Sequence, residues 1–231
     1  MKRRGLFSCI LCLVLGLLIG LLLPAPWDQD PAVAPPVTPE VIKPVIPEVS
    51  SPAAADQDTA FDPEDNMILL KAACSAAEAI KAKDFSLLSS MVSDDNGVTF
   101  TPYSSVDPET VITLTAQQIK KAPEDQNIYG WGFEDGRGNL IEMTISEYFA
   151  QYVFDADYTK APQVGIDTVL ISGNALENVR EAYPDCRFVD FSYPSSDPVN
   201  DGLDWCSLKL VFKPEQSAWK LVGVIHGQWT I

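Results

Sequence analysis

The chain holds one histidine, His226, in 231 residues, and only 16 Lys and Arg against 32 Asp and Glu, a net charge of −16. Each shortage excludes something. A nucleic-acid partner requires a basic surface that displaces counterions. A folded domain lying on an anionic membrane surface has the same requirement. One histidine and five scattered cysteines give no zinc ligand set. Nor do the cysteines form a disulfide framework: Cys9 and Cys12 sit in an apolar run, Cys74 in an expected helix, and Cys186 and Cys206 in expected strands. The last three read as small buried hydrophobes. Gly130, Gly132, Gly136 and Gly138 lie in or beside an expected hairpin, not at a strand-to-helix turn, so no phosphate-cradling loop is present. No serine sits in a nucleophile elbow. The oxygen-rich stretches Asp94-Asp95-Asn96, Asp155-Ala156-Asp157 and Asp197 to Asp204 lack the spaced carboxylates of a calcium loop and read as solvated acidic turns. Neither a metal nor a cofactor is expected.

What is present begins with an address. Lys2, Arg3 and Arg4 precede an unbroken apolar run from Leu6 to Leu23. Eighteen helical residues span roughly 27 Å, enough to cross a hydrocarbon core. The basic flank stays on the cytoplasmic side and leaves the rest outside. The small-x-small site Ala32-Val33-Ala34 is followed by Pro35, so an uncleaved signal anchor is favoured over a secreted chain. Half of the 18 prolines fall between Pro24 and Thr59, which makes a stiff, extended stalk. The expected plan is therefore an anchor over 1–23, a Pro-rich linker over 24–59 and one extracytoplasmic domain over 60–231.

Within that domain, Asp62-Pro63-Glu64-Asp65 starts a helix to about Ala82, and Asp84 starts a second, Phe85 to Val92. Strands are expected at Val98–Tyr103, Val111–Leu114, Ile128–Glu134, Leu140–Met143, Val164–Ser172 and Cys186–Tyr193. Thr115…Gln118 and Thr144…Glu147 are capping boxes, and Asn174 caps a helix to about Ala182. The last two apolar runs, flanking Lys213 to Ala218, read as a long hairpin. Strict alternation puts Cys206, Leu208, Leu210 and Phe212 on one face of its first strand. In the second it puts Trp219, Leu221 and Ile225 on one face, with Val222, Val224 and His226 on the reverse. Helices first and antiparallel strands last make an α+β domain with N-terminal helices packed on a curved antiparallel sheet.

The segments YGWGFEDGRGN, TISEYFAQYVFDADYTKAPQVG, SGNALENV, DWCSLKLVF and WKLVGVIHGQWTI resemble a family of exported, membrane-anchored proteins of Gram-positive bacteria with no assigned activity. The element order is similar to the cone-shaped NTF2-like (cystatin-like) superfamily. That resemblance implies a cupped sheet that in different members serves isomerases, dehydratases or pure binding domains. It also implies that two copies can pair as a homodimer. It carries no catalytic residue onto this chain.

Two residue sets are candidates for function. His226, near the end of the last strand, and Asp190, interrupting the apolar Phe188-Val189-Asp190-Phe191, are a candidate acid–base pair if both face one cavity. Tyr103, Tyr129, Trp131, Asp204, Trp205 and Trp229 could supply aromatic walls and a polar group for a ligand. The favoured expectation is a non-catalytic binding module of the cell envelope, anchored in the membrane by its leader and taking a small or peptide-like ligand. The alternative is a cofactor-free lyase or isomerase using Asp190 and His226.

Overall fold

The computed structural model describes residues 62–230. The expected membrane segment and stalk lie outside these residues. Contacts divide the chain into two units, Met1–Asp56 and Gln57–Ile231, and every described residue belongs to the second.

Helix α1 spans Pro63–Ala82. The Asp62 carboxylate accepts from the Glu64 N–H, and Pro63 fixes the first helical dihedral. Lys83, in the left-handed region at φ 53, ends it. Leu69, Ala73, Ala76, Ala77 and Ile80 face inward, and the alanines let the helix lie close to the sheet. Asp84 caps α2, Phe85–Met91, with its Oδ1 accepting from Leu87 N at 2.8 Å.

Six strands form the main sheet: β1 (Val98–Thr101), β2 (Ile112–Leu114), β5 (Gln163–Ile166), β6 (Arg187–Tyr193), β7 (Cys206–Glu215) and β8 (Ala218–Gln228). Their order is β2-β1-β8-β7-β6-β5. All neighbours are antiparallel except β1 and β8, which run parallel. β3 (Tyr129–Phe133) and β4 (Leu140–Met143) pair as a separate hairpin. Two short helices, α3 (Ala116–Lys121) and α4 (Ile145–Tyr148), open on the expected capping boxes of Thr115 and Thr144. α4 continues as a π-helical turn over Phe149–Val153. Mixed α+β architecture with helices on a curved, mostly antiparallel sheet is thus as expected.

Three local expectations give way. The hairpin alternation is broken by a bulge: Phe212 pairs with Leu221 but Val211 pairs with Gly223, which leaves Val222 as the extra residue. Beyond it Val224 and His226 share the face of Leu208 and Leu210, while Ile225 lies on the reverse. The expected strand Val164–Ser172 stops at Ile166. Asp167 turns left-handed at φ 47, and its carboxylate accepts from Phe188 N and Arg187. The chain then crosses the sheet's reverse face as an irregular strap, 167–178. The expected helix from Asn174 shrinks to α5, Val179–Ala182, because the Asn174 side-chain Oδ1 accepts from the Thr230 hydroxyl instead of capping a helix.

The sheet separates two apolar layers. The larger, under the helices, joins Leu208, Leu210, Phe212, Leu221, Val224, Val189 and Phe191 to α1, α2 and α4. The smaller, on the reverse face, gathers Val106, Val179, Phe188, Val211, Val222 and Ile225 beneath the strap and α5.

Candidate functional site

His226 lies on the helix side of β8, opposite Leu208, and is 1% exposed. Its Nδ1 is 2.9 Å from the Pro102 carbonyl oxygen, and its Nε2 is 3.1 Å from Asp155 Oδ2. Both ring nitrogens therefore face oxygen acceptors. The other oxygen of Asp155 accepts from the Tyr158 hydroxyl at 2.7 Å. Burial alone would push the Asp155 carboxyl up. The hydrogen bond and charge of His226, with the Tyr158 hydroxyl, outweigh it and hold the carboxyl below its ordinary range. Tyr158 is pushed far above the usual phenol range by burial and by the Asp155 charge. Cys206 adjoins the pair, its thiol raised by burial. It is free, as are Cys74 and Cys186.

Asp155 is the acid that sequence reasoning missed. It stands 71 positions from His226, inside a stretch that reads as a solvated acidic turn. The π-helical turn at Phe149–Val153 delivers it to the sheet.

Asp190 does not join this group. Across the sheet Asp190 pairs with Lys209 and Lys209 with Ile225, whereas His226 pairs with Leu208 and Leu208 with Phe191. Successive side chains point to opposite faces, so the sheet itself stands between Asp190 and His226. Asp190 is fully buried on the reverse face, accepting from Leu170 N at 2.9 Å and from Ser192 Oγ at 2.9 Å. Burial raises its carboxyl, against the neighbouring Lys209 charge and these two bonds. Lys209, also fully buried, has Nζ 2.8 Å from Glu177 Oε2, a close charge contact without aligned hydrogen-bond geometry. Leu170 and Glu177 both belong to the strap, so the cluster ties the strap to the sheet.

The expected aromatic set is also divided. Trp131 is fully buried; its indole N–H donates to the Met143 carbonyl at 2.9 Å, and its ring stacks on Tyr148 at 3.9 Å and 14°. Phe100, Tyr148 and Tyr152 continue the cluster, which fills the cup between sheet and helices. Tyr152 reaches the His226 ring, edge to face at 5.7 Å. Tyr129 packs beside Trp131 and donates its hydroxyl to Asp125 Oδ2. Tyr103 lies at the rim. Trp205 and the partly exposed Trp229 instead stand at the far end of the reverse face, against Gly173 of the strap. A Cβ on Gly173 would meet Trp205 at 2.9 Å, so that contact requires glycine. Asp204 organises an exposed loop through the Ser195 hydroxyl and the N–H groups of Ser196 and Asp197; the Ser195 hydroxyl bond, foremost among these, lowers its carboxyl to about 2.

Among the concavities formed by the described residues, three are larger than 200 Å³. One of about 370 Å³ lies between the start of α1 and the β7–β8 turn, with Asp65, Arg187 and Trp219 in its lining. Another, of about 280 Å³, lies beside Tyr183, Cys186 and Lys213. The third, of about 230 Å³, holds two of the expected aromatics: Tyr103 and Trp131, with Phe133, Pro102, Asp107 and Thr110. Pro102, whose carbonyl contacts His226, forms part of its wall. Among the described residues no three His, Cys, Asp or Glu side chains converge on a possible metal position. None of their helices is long and apolar enough to cross a membrane.

No family model matches the chain, and no curated protein matches it in sequence. Solved structures that are similar include Aln2 from a Streptomyces species, at 8% identity, 72% of this chain, 92% of that one and TM-score 0.34. A member of the NTF2-like family from Streptomyces avermitilis aligns at 13% identity over 72% of this chain and 98% of its own, with TM-score 0.35. An NTF2-like protein from Shewanella oneidensis aligns at 9% identity over 72% and 100%, with TM-score 0.29. What this chain does is therefore read from its own residues.

Proposed function

We propose that this chain is a non-catalytic binding module, held outside the cell by its apolar leader and Pro-rich stalk, whose ligand enters the rim concavity between Tyr103 and Phe133. One observation carries the reading. The volume inside the cup, where a substrate would meet His226, is occupied by Phe100, Trp131, Tyr148 and Tyr152, while the rim over Trp131 is open. Buried His226, with both nitrogens bonded, then serves to hold the π-helical turn and β8 together. Thermal unfolding of the full chain in detergent, with peptide and glycan fragments of the envelope, tests this. A ligand at a hundred times its dissociation constant adds about 2.7 kcal/mol. For a domain of this size that is roughly 8 °C. The shift should vanish in Phe133→Ala and persist in Trp229→Ala. Protease treatment of intact cells should remove the domain; its protection would end the extracytoplasmic placement.

A second reading, acid–base chemistry of the lyase or isomerase kind, is favoured by the Tyr158–Asp155–His226 chain. It would require the aromatic filling to part. Ligand-induced shifts abolished by His226→Ala but untouched by Phe133→Ala would support it over the first.

A further inference from the structure

We infer that the rim concavity is a seat for a single alkylammonium side chain, of the lysine type, presented by a peptide. This rests on the binding reading above and names the ligand's chemistry. At about 230 Å³ the concavity is smaller than the sites that enclose drug-sized ligands, and suits one extended side chain. Its walls are of two kinds. Tyr103 and Phe133 offer ring surface, backed by the buried Pro102 and Trp131, which packs an aliphatic stem and attracts a cation at its end. Asp107 is the charged residue in the lining. Its Oδ1 accepts from the Glu109 N–H at 3.0 Å, and its Oδ2 has no hydrogen-bond partner among the described residues.

The surroundings are of the same sign. Glu109 follows Asp107 by two residues, and Glu134 and Asp135 begin the β3–β4 turn, where the Asp135 N–H donates to the Tyr103 hydroxyl. Arg137, in that turn, is not part of the lining. Behind the wall His226 Nε2 lies 3.1 Å from Asp155 Oδ2. Phe133 is 51% exposed, a large ring left in water at the mouth. An acidic, aromatic-walled slot with no basic lining residue excludes anions and favours an ammonium group.

The test uses the full chain in detergent micelles, with tryptophan fluorescence and indole NMR as readouts. The probes are Nα-acetyl-lysine methylamide and its uncharged counterpart, Nα-acetyl-norleucine methylamide. The lysine probe should bind about tenfold more tightly, an advantage that falls as salt is raised. Asp107→Asn keeps the turn-forming oxygen and should remove most of that advantage; Phe133→Ala should weaken both probes. Equal affinity for the two probes would overturn the assignment of an ammonium ligand while leaving a binding site at the rim. An unaltered lysine preference in Asp107→Asn would overturn the assignment to this slot. Binding of neither probe, alongside a Phe133-dependent thermal shift from an envelope fragment, would overturn the ligand class alone. With no such shift the binding reading falls as well.

Discussion

Replacing Lys209 with methionine should destabilise the folded domain by about 3–5 kcal/mol, the usual cost of removing one partner from a buried ion pair. The substitution keeps the unbranched stem, so little cavity forms and the loss is electrostatic. In the native protein the Lys209 ammonium is fully buried, 2.8 Å from Glu177, and its charge opposes the burial penalty on Asp190. Without it two carboxylates share a dry layer between strap and sheet. At roughly 2–4 °C per kcal/mol for a domain of this size, the melting temperature should fall by about 10 °C. Urea titration of the full chain in detergent gives the free energy. Amide exchange at Leu170, whose N–H donates to Asp190, reports the strap directly and should accelerate before global unfolding. Combining Lys209→Met with Asp190→Asn and Glu177→Gln removes the uncompensated charge and should recover more than half of the loss. A cost below about 1 kcal/mol, with Leu170 exchange unchanged, would refute the claim that this cluster fastens the strap.

Gly223→Ala puts a Cβ 2.9 Å from the Tyr183 hydroxyl oxygen and 3.1 Å from the Val211 Cβ, just past the β8 bulge. It should cost about 1–3 kcal/mol in denaturant titration, whereas Gly138→Ala crowds nothing and acts only through its left-handed φ of 68. Thr144→Ala removes the capping-box oxygen of α4 and should cost about 1 kcal/mol by the same measurement. The Asp155 carboxyl is held below its ordinary value, so its contribution is present above the unfolded carboxylate range and is lost as pH falls through the lower native value. Acid unfolding followed by circular dichroism should therefore lose part of its steepness below about pH 4 in Asp155→Asn; an unchanged acid limb would show that the His226–Asp155 pair contributes nothing.

Legibility in the sequence followed the range of each interaction. Helix starts are local chemistry, and Asp62-Pro63, Asp84, Thr115 and Thr144 each begin a helix where their side chains demand it. The final hairpin was legible because both of its strands carry long apolar runs. Its bulge was not, since strict alternation has no sign for one extra residue; the misplaced face of His226 follows from that single position, Val222. The apolar letters of Val164–Ser172 suggest a strand, yet the chain leaves the sheet at Asp167, because the Arg187 side chain and the Phe188 N–H converge on its carboxylate. Those partners lie 20 and 21 residues away. The parallel pairing of β1 with β8 brings together Thr99 and Gly223, a contact with no local signature. Of the candidate site residues, Tyr103 and Trp131 do meet at one concavity, joined by Phe133 and Asp107, which alternation alone could not single out. Trp205 and Trp229 fall on the reverse face, because the odd-numbered positions of β7 and the end of β8 point there.

Where a ligand touches the domain separates a rim site from chemistry inside the cup. Heteronuclear spectra of the labelled full chain, recorded while a lysine-bearing peptide is added, answer this at residue resolution. The prediction is that the Trp131 indole and the amides of Gly132, Phe133 and Asp107 move together, while the His226 ring and the Leu170 amide stay still. Perturbation centred on the His226 ring and Tyr152, with the rim unchanged, would contradict the account and place the chemistry inside the cup.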